Sequence, residues 1–248
     1  MNFVVFDTET TSLDKPFCYN IGYVIFSDNS EILCKKDFVV EQIWHNLPLF
    51  SSAYYAEKRS LYIDRMRKHL VKMDKFGYIC QEMKRDFRKF EVERAFAYNS
   101  SFDEKVFDFN CDWFKCNNPF EELEISDIRG FVHNFMVDEI FKDFCEKNSL
   151  FTETGNYSTT AETLFRYISQ NTEFEEEHTA LSDSLIEKEI LEYCVKKGAN
   201  WFKNYQVMRS IKREFEKTLH LVNRENEDFY FKFSTMRMKN NKTEIILK

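Results

Sequence analysis

Asn2-Phe3-Val4-Val5-Phe6-Asp7-Thr8-Glu9-Thr10-Thr11 is the stretch on which the fold of this chain turns. Asn2 to Asp7 is a short run rich in β-branched and aromatic residues, which reads as a buried strand. Asp7 and Glu9 close it at positions i and i+2, and on a strand such positions share a face. Two carboxylates held side by side repel each other unless a cation lies between them. Oxygen ligands of this kind suit Mg²⁺ or Mn²⁺. Taken alone, a D-x-E at a strand end is more often a solvated edge or turn.

Outward from this strand, Tyr19 to Phe26 reads as a second strand, Asp28-Asn29-Ser30 as a turn and Glu31 to Val40 as a third strand. Leu49 to Met73 and Tyr78 to Glu93 have helical spacing with basic residues interleaved. Arg94 to Tyr98 is a fourth strand, followed by a helix opening over Phe102 to Phe109, and Glu124 to Asp127 is a short fifth strand. Gly130 to Ser149, Thr160 to Gln170 and Ala180 to Lys197 read as helices, the last closed by Gly198. Three strands in a meander followed by alternating strands and helices predict an α/β fold, a mixed five-stranded sheet flanked by helices. Residues 1–198 form the expected main domain, with a helical basic insertion at about 53–92. Residues 199–248 form an extension, with a basic helix over Trp201 to Thr218 and strands at Phe229 to Phe233 and Glu244 to Leu247.

The chain has 248 residues and a formal net charge of −7. Residues 53–92 carry eleven Lys/Arg against six Asp/Glu, and so do residues 199–248, which leaves −17 on the remainder. An acidic body with two basic segments fits a cation-binding centre flanked by anion-binding arms; two solvated helical faces fit equally well. Seven scattered cysteines without C-x-x-C argue against a disulfide framework, and Cys111 and Cys116 lack a Cys/His pair to complete a zinc site. No apolar run approaches the length of a membrane span and no signal peptide precedes the first strand, so a reducing cytoplasm is the expected location. Phe-, Lys- and Asn-rich usage with 5 Gly and 3 Pro fits an AT-rich genome, that of a phage or a small bacterium.

A second acidic position repeats the logic of the first. Ala97-Tyr98-Asn99-Ser100-Ser101-Phe102-Asp103 ends an apolar strand in a polar turn and places Asp103 at a helix start. Complementing the helix dipole would account for Asp103 by itself, yet strand-end loops on one edge of an α/β sheet are where sites form. The third element is His178-Thr179-Ala180-Leu181-Ser182-Asp183. On one continuous helix a five-residue offset turns the two side chains about 140° apart. They converge more naturally if His178 lies in the preceding loop and Asp183 on the first turns of the helix. His45, His69, His133 and His220 form no pair with ligand spacing.

Together FDTETT (Phe6 to Thr11), AYNSSFD (Ala97 to Asp103) and HTALSD (His178 to Asp183) resemble, in order and separation, the three motifs of the DEDDh branch of the DnaQ-like 3′–5′ exonuclease superfamily. The resemblance covers residues 1–198. It implies an RNase H-like fold and two divalent cations, Mg²⁺ or Mn²⁺, held by Asp7, Glu9, Asp103 and Asp183, with His178 as general base. It implies a phosphodiester hydrolase that releases 5′-mononucleotides from the 3′ ends of single-stranded nucleic acid. DNA is favoured over RNA, in a proofreading or repair role with a polymerase or replication partner and no membrane. Thr10 and Asn99 are the candidates for holding the terminal nucleotide, although each fits equally well as turn former or cap. Two departures bear on that grip: Ser12 replaces the glycine common after the first motif's threonines, and Tyr98 the histidine common before the second motif's Asn. An exoribonuclease and a catalytically silent binding module for nucleic acid or a polymerase are the alternatives.

Overall fold

The computed structural model describes residues 1–208 and 211–212. Beyond these it describes the backbone of the short strands β7 (Thr218–Val222), β8 (Asp228–Lys232), β9 (Met238–Lys239) and β10 (Lys242–Thr243). β8 covers Phe229 to Lys232 of the strand expected at Phe229 to Phe233, and Phe233 lies outside the described residues. Glu244 to Leu247 lie outside the described residues.

The main sheet has six strands rather than five. β1 (Asn2–Thr10) pairs antiparallel with β2 (Cys18–Ser27), which pairs antiparallel with β3 (Ile32–Val40). On its other side β1 runs parallel to β5 (Val92–Ala97), and β5 parallel to β6 (Glu124–Asp127). The strand that sequence reading missed is β4 (Lys72–Asp74), parallel to the edge of β3. Three residues give no usable alternation, so Lys72 and Met73 read as the tail of a helix.

β1 is buried on both faces, as its continuous apolar run requires. Its even residues Val4 and Phe6 enter one core, and its odd residues Phe3 and Val5 enter the other. The first core packs under the insertion and α5 (Ser100–Phe114). The second packs under α6 (Ile128–Phe135), α7 (Glu139–Asn148), α8 (Ala161–Ser169) and α9 (Ala180–Lys196). The single helix expected over Gly130 to Ser149 is two, because Asp138 caps a fresh start by accepting from the Phe141 N–H at 2.9 Å.

The insertion is only partly helical. α1 (Glu41–Trp44) and α2 (Leu47–Phe50) precede a 3-10 turn at Ala56–Lys58 and α3 (Arg59–Arg67), and α4 (Phe76–Lys89) closes it. His69, at φ +56°, ends α3 and releases the chain into β4. Most of the insertion's cations meet partners inside the protein. Arg59 lies over the Trp44 ring at 3.9 Å, Arg65 bridges Asp37 and Glu177, and Lys72 bridges Asp74 and Glu82.

The helix expected from Trp201 does not form over Trp201 to Met208. Tertiary contacts override the local pattern there. Trp201 stacks on Phe3 at 4.5 Å, and Arg94 donates to the Phe202 carbonyl at 2.9 Å and to Asn204 Oδ1 at 2.6 Å. Tyr205 lies against Gly130 so closely that a Cβ there would stand 2.2 Å from its carbonyl oxygen. An extended segment reaches all three places; a helical one, rising 1.5 Å per residue, could not. No helix among the described residues is long and apolar enough to cross a membrane.

Candidate active site

The alternation of β1 decides where each acid goes. Asp7 and Glu9 continue the odd-numbered side toward α9. Thr8 continues the even-numbered side toward α5, where its hydroxyl donates to Asp103 Oδ1 at 2.6 Å. Asp103 sits in the first turn of α5 and is buried. Asp183 sits in the first turn of α9, and His178 in the loop ahead of it, the arrangement the five-residue offset favours.

Two devices, one steric and one polar, bring Asp183 to Asp7. Gly22, opposite Asp7 in the β1–β2 register, lies so close beneath α9 that a Cβ on it would stand 2.1 Å from the Leu181 nitrogen. Any side chain at 22 would lift the helix start off the sheet. Next to it, fully buried Asn20 satisfies all its amide capacity. Its Oδ1 accepts from the Ala180 N–H and the Tyr62 hydroxyl, both at 2.8 Å, and its Nδ2 donates to Asp37 Oδ1 at 2.6 Å and the Phe38 carbonyl at 2.8 Å. Asn20 therefore fixes the α9 N-terminus to β2, β3 and α3 at once.

The result is a triad of carboxylates. One oxygen from each of Asp7, Glu9 and Asp183 lies within 4.8 Å of the others. Their protons are held abnormally tightly. Asp183 is pushed up to about 9 by burial and by the charges of Asp7 and Glu176. Asp7 is raised by burial and by Asp103, and Glu9 by burial and by Asp7 and Asp183. Asp103, on the Thr8 side, is raised by burial to about 7 against the pull of the Thr8 hydroxyl. Among the described residues no ion pair includes any of these four acids, and Asp183 Oδ1 is buried without a hydrogen-bond partner. A set of hard oxygen donors with an orphaned buried oxygen and mutual repulsion fits divalent cations such as Mg²⁺ or Mn²⁺.

A fifth acid escaped the sequence reading. Glu187, one turn after Asp183 on α9, is buried, accepts from the Tyr98 N–H at 3.2 Å, and is raised by burial and by Asp7, Asp103 and Asp183. The signal that could have found it is the i, i+4 spacing of Asp183 and Glu187, which puts both on one helix face.

His178 belongs to a neighbouring cluster. A nitrogen of its ring and carboxylate oxygens of Glu162 and Glu176 lie within 4.8 Å of one another, with Nδ1 to Glu176 Oε2 at 3.6 Å. The ring stacks on Tyr55 at 4.6 Å, 14° from parallel. Tyr55 in turn lines one cleft with Glu9, and its proton is raised to about 12 by burial and by the charges of Glu9 and Asp183. His178 adopts φ +49°, a conformation that costs a non-glycine residue roughly 1 kcal/mol or more. The insertion holds it there: Lys58 Nζ donates to the Glu177 carbonyl, and Arg65 donates to Glu177 Oε2 at 2.7 Å and Thr179 Oγ1 at 3.0 Å. Burial and Lys58 pull the imidazole's proton affinity below the ordinary value of 6.5, with Glu162 opposing.

The two nucleotide-grip candidates separate. Thr10 lines a cleft of about 290 Å³ together with Glu9, Leu13, Tyr54, Tyr55 and Phe102. Asn99 does not line that cleft. It stands at φ +62° before α5, with its side-chain oxygen accepting from Arg129 at 3.0 Å and its N–H donating to Asp127 at 3.0 Å. Tyr98 donates its hydroxyl to the Thr159 carbonyl, tying the end of β5 to the start of α8.

No family model and no curated protein matches the sequence. Solved structures do. Escherichia coli exonuclease I in complex with a 5cy-dT13 oligonucleotide aligns with a TM-score of 0.51 at 13% identity, over 79% of this chain and 40% of that one. Exonuclease I with single-strand-binding protein and an inhibitor aligns with a TM-score of 0.52 at 11% identity, over 79% and 42%. The fold is that of these exonuclease I structures. Its RNase H-like sheet, with β1 and β2 antiparallel and β5 and β6 extending it in parallel, bears out the expected architecture with one edge strand added. The chain spans about two fifths of the length of the exonuclease I chains it matches.

Proposed function

We propose that this protein is a metal-dependent 3′→5′ exonuclease acting on single-stranded DNA, with residues 1–198 as its nuclease domain. The observation that carries the reading is the convergence of Asp7, Glu9 and Asp183, with no ion-pair partner among the described residues, beside Asp103 on the same sheet edge. Asp7, Glu9, Asp103 and Asp183 would hold the cations, whose chemistry is to acidify water and to neutralise charge on the attacking and leaving oxygens. His178, whose affinity for a proton is lowered by burial and by Lys58, accepts the proton of the attacking water. Glu176 beside its Nδ1 steadies the imidazolium that results. The cleft at Thr10 is walled by Leu13, Tyr54, Tyr55 and Phe102, apolar and aromatic surfaces that suit the face of a terminal base. DNA is favoured because the exonuclease I that shares this fold is seen with a dT13 oligonucleotide.

The test is a 5′-labelled single strand, offered as matched DNA and RNA. Shortening from the 3′ end with Mg²⁺, faster on DNA, and abolished by EDTA and by Asp7→Asn, is the expected outcome. Tight binding without cleavage would replace the enzyme with a binding module, and preferential cleavage of RNA would reassign the substrate.

A further inference from the structure

The face of the molecule formed by α4 and the C-terminal end of α5 holds a second donor set, of opposite chemical character. Cys80 on α4, Cys111 near the end of α5 and Cys116 just past it bring their Sγ atoms within 4.8 Å of one another. Sequence spacing hid this, because Cys80 lies far from the other two and only the packing of α4 on α5 supplies the third thiol. The local geometry is specific. Lys115 adopts φ +54° at the end of α5, and the Cys116 N–H donates back to the Cys111 carbonyl at 3.1 Å, so the chain folds over the last helical turn and returns Cys116 beside Cys111. Cys116 then packs over Gly77, one turn before Cys80.

We propose that Cys80, Cys111 and Cys116 form a zinc(II) site that staples the insertion helix α4 to α5. Three thiolates around one zinc stand about 3.8 Å apart when each lies about 2.3 Å from the metal in tetrahedral geometry. Separations within 4.8 Å close to that value by small side-chain rotations. Soft sulfur donors select zinc over the hard cations that suit the carboxylates of the active site. Cys80 and Cys111 are buried while Cys116 is partly exposed, which gives the ion an entry path and leaves the fourth position to solvent. A disulfide would use two of these sulfurs and leave the third without a role; a metal uses all three. Binding links the helix whose first turn carries Asp103 to the insertion whose Tyr55, Lys58 and Arg65 hold the His178 loop.

The test uses the full chain, reduced and then freed of reductant, titrated with Co²⁺ and then Zn²⁺. One equivalent of cobalt should give the near-ultraviolet sulfur-to-cobalt charge-transfer band and strong visible bands of a tetrahedral thiolate site, displaced by zinc. The signal should persist in Asp7→Asn, which alters only the carboxylate site, and vanish in Cys116→Ser, the least buried of the three positions. With the carboxylate site disabled by Asp7→Asn, zinc should raise the thermal midpoint, and adding Cys116→Ser should abolish that rise. Absence of a charge-transfer band in the reduced wild type, or its survival in Cys116→Ser, would overturn the site. So would a reduced chain that takes up no cobalt and loses two thiols on mild oxidation, which would make the cluster a disulfide pair.

Discussion

Two clusters of carboxylates lie near opposite faces of β2, and they are built on contrary principles. In one, Asp86 and Glu82 are met by lysines: Lys36 stands 2.5 Å from Asp86 and 2.7 Å from Glu82, Lys72 stands 2.8 Å from Glu82, and the Tyr23 hydroxyl donates to Asp86 at 2.7 Å. Against the effect of burial, those lysines hold Glu82 below the usual carboxylate range. In the other, Asp7, Glu9 and Asp183 have no ion-pair partner among the described residues, and every one of them is pushed upward despite the charge of Lys58 near Glu9 and Asp183. The first cluster is complete as folded protein. The second is complete only when positive charge arrives from outside, and buried acids left in that condition mark a binding site.

The largest effect that would break the comparison is in activity. Asp7→Asn should lower the rate of 3′-end cleavage by at least about 100-fold, as removal of a central electrostatic element does. The same substitution should raise the thermal midpoint of the metal-free protein, because it relieves repulsion. A lowered midpoint would show that Asp7 is structural. His178→Ala should cost about 100-fold in turnover, in the range of general-base contributions, while calorimetry finds divalent-cation affinity retained. In the wild type at saturating Mg²⁺, where bound cations have already displaced the protons of Asp103 and Asp183, the acid limb of kcat/KM should lie below pH 6.5, since the imidazole's proton affinity is depressed. A limb above 6.5 would assign the base to another group.

Lys36→Met sharpens the contrast from the other side. It strands Asp86 and Glu82, and it should destabilise the protein by about 2 kcal/mol, less than a fully buried pair because Lys36 is partly exposed. Cleavage per folded molecule should not change. The smallest effect is the dependence of stability on pH without metal. Asp103 and Asp183, raised to about 7 and about 9, bind protons more tightly folded than unfolded. Their contribution is full below about pH 4 and is lost as pH rises through 7 to 9. Thermal midpoints in EDTA should therefore fall across that window more steeply than midpoints in Mg²⁺, and parallel curves would count against the uncompensated cluster.

Much of this was legible in the sequence, for physical reasons that also mark where legibility stopped. β1, β2 and β3 announced themselves by burial and alternation, and the Asp7/Glu9 pair by strand period. The separation of His178 from Asp183 followed from helix geometry alone. Tertiary effects were not legible. β4 has three residues and no pattern of its own. Trp201 to Met208 carries a helical pattern, yet Phe3, Arg94 and Gly130 draw it into an extended strap. Asn20 and Gly22 show their purpose only once α9 is laid on β2. Glu187 carried a readable signal in its spacing from Asp183, whereas Cys80 carried none.

The central claim, that the acidic cluster is completed by cations, is tested most directly by calorimetric titration of Mn²⁺ at pH 8 in buffers of different ionisation enthalpy. Because Asp183 holds its proton up to about 9, cation binding must drive protons off, so the apparent enthalpy should vary with the buffer and both uptake and proton release should disappear in Asp7→Asn. Binding that releases no protons, or that proceeds unchanged in Asp7→Asn, would contradict the account.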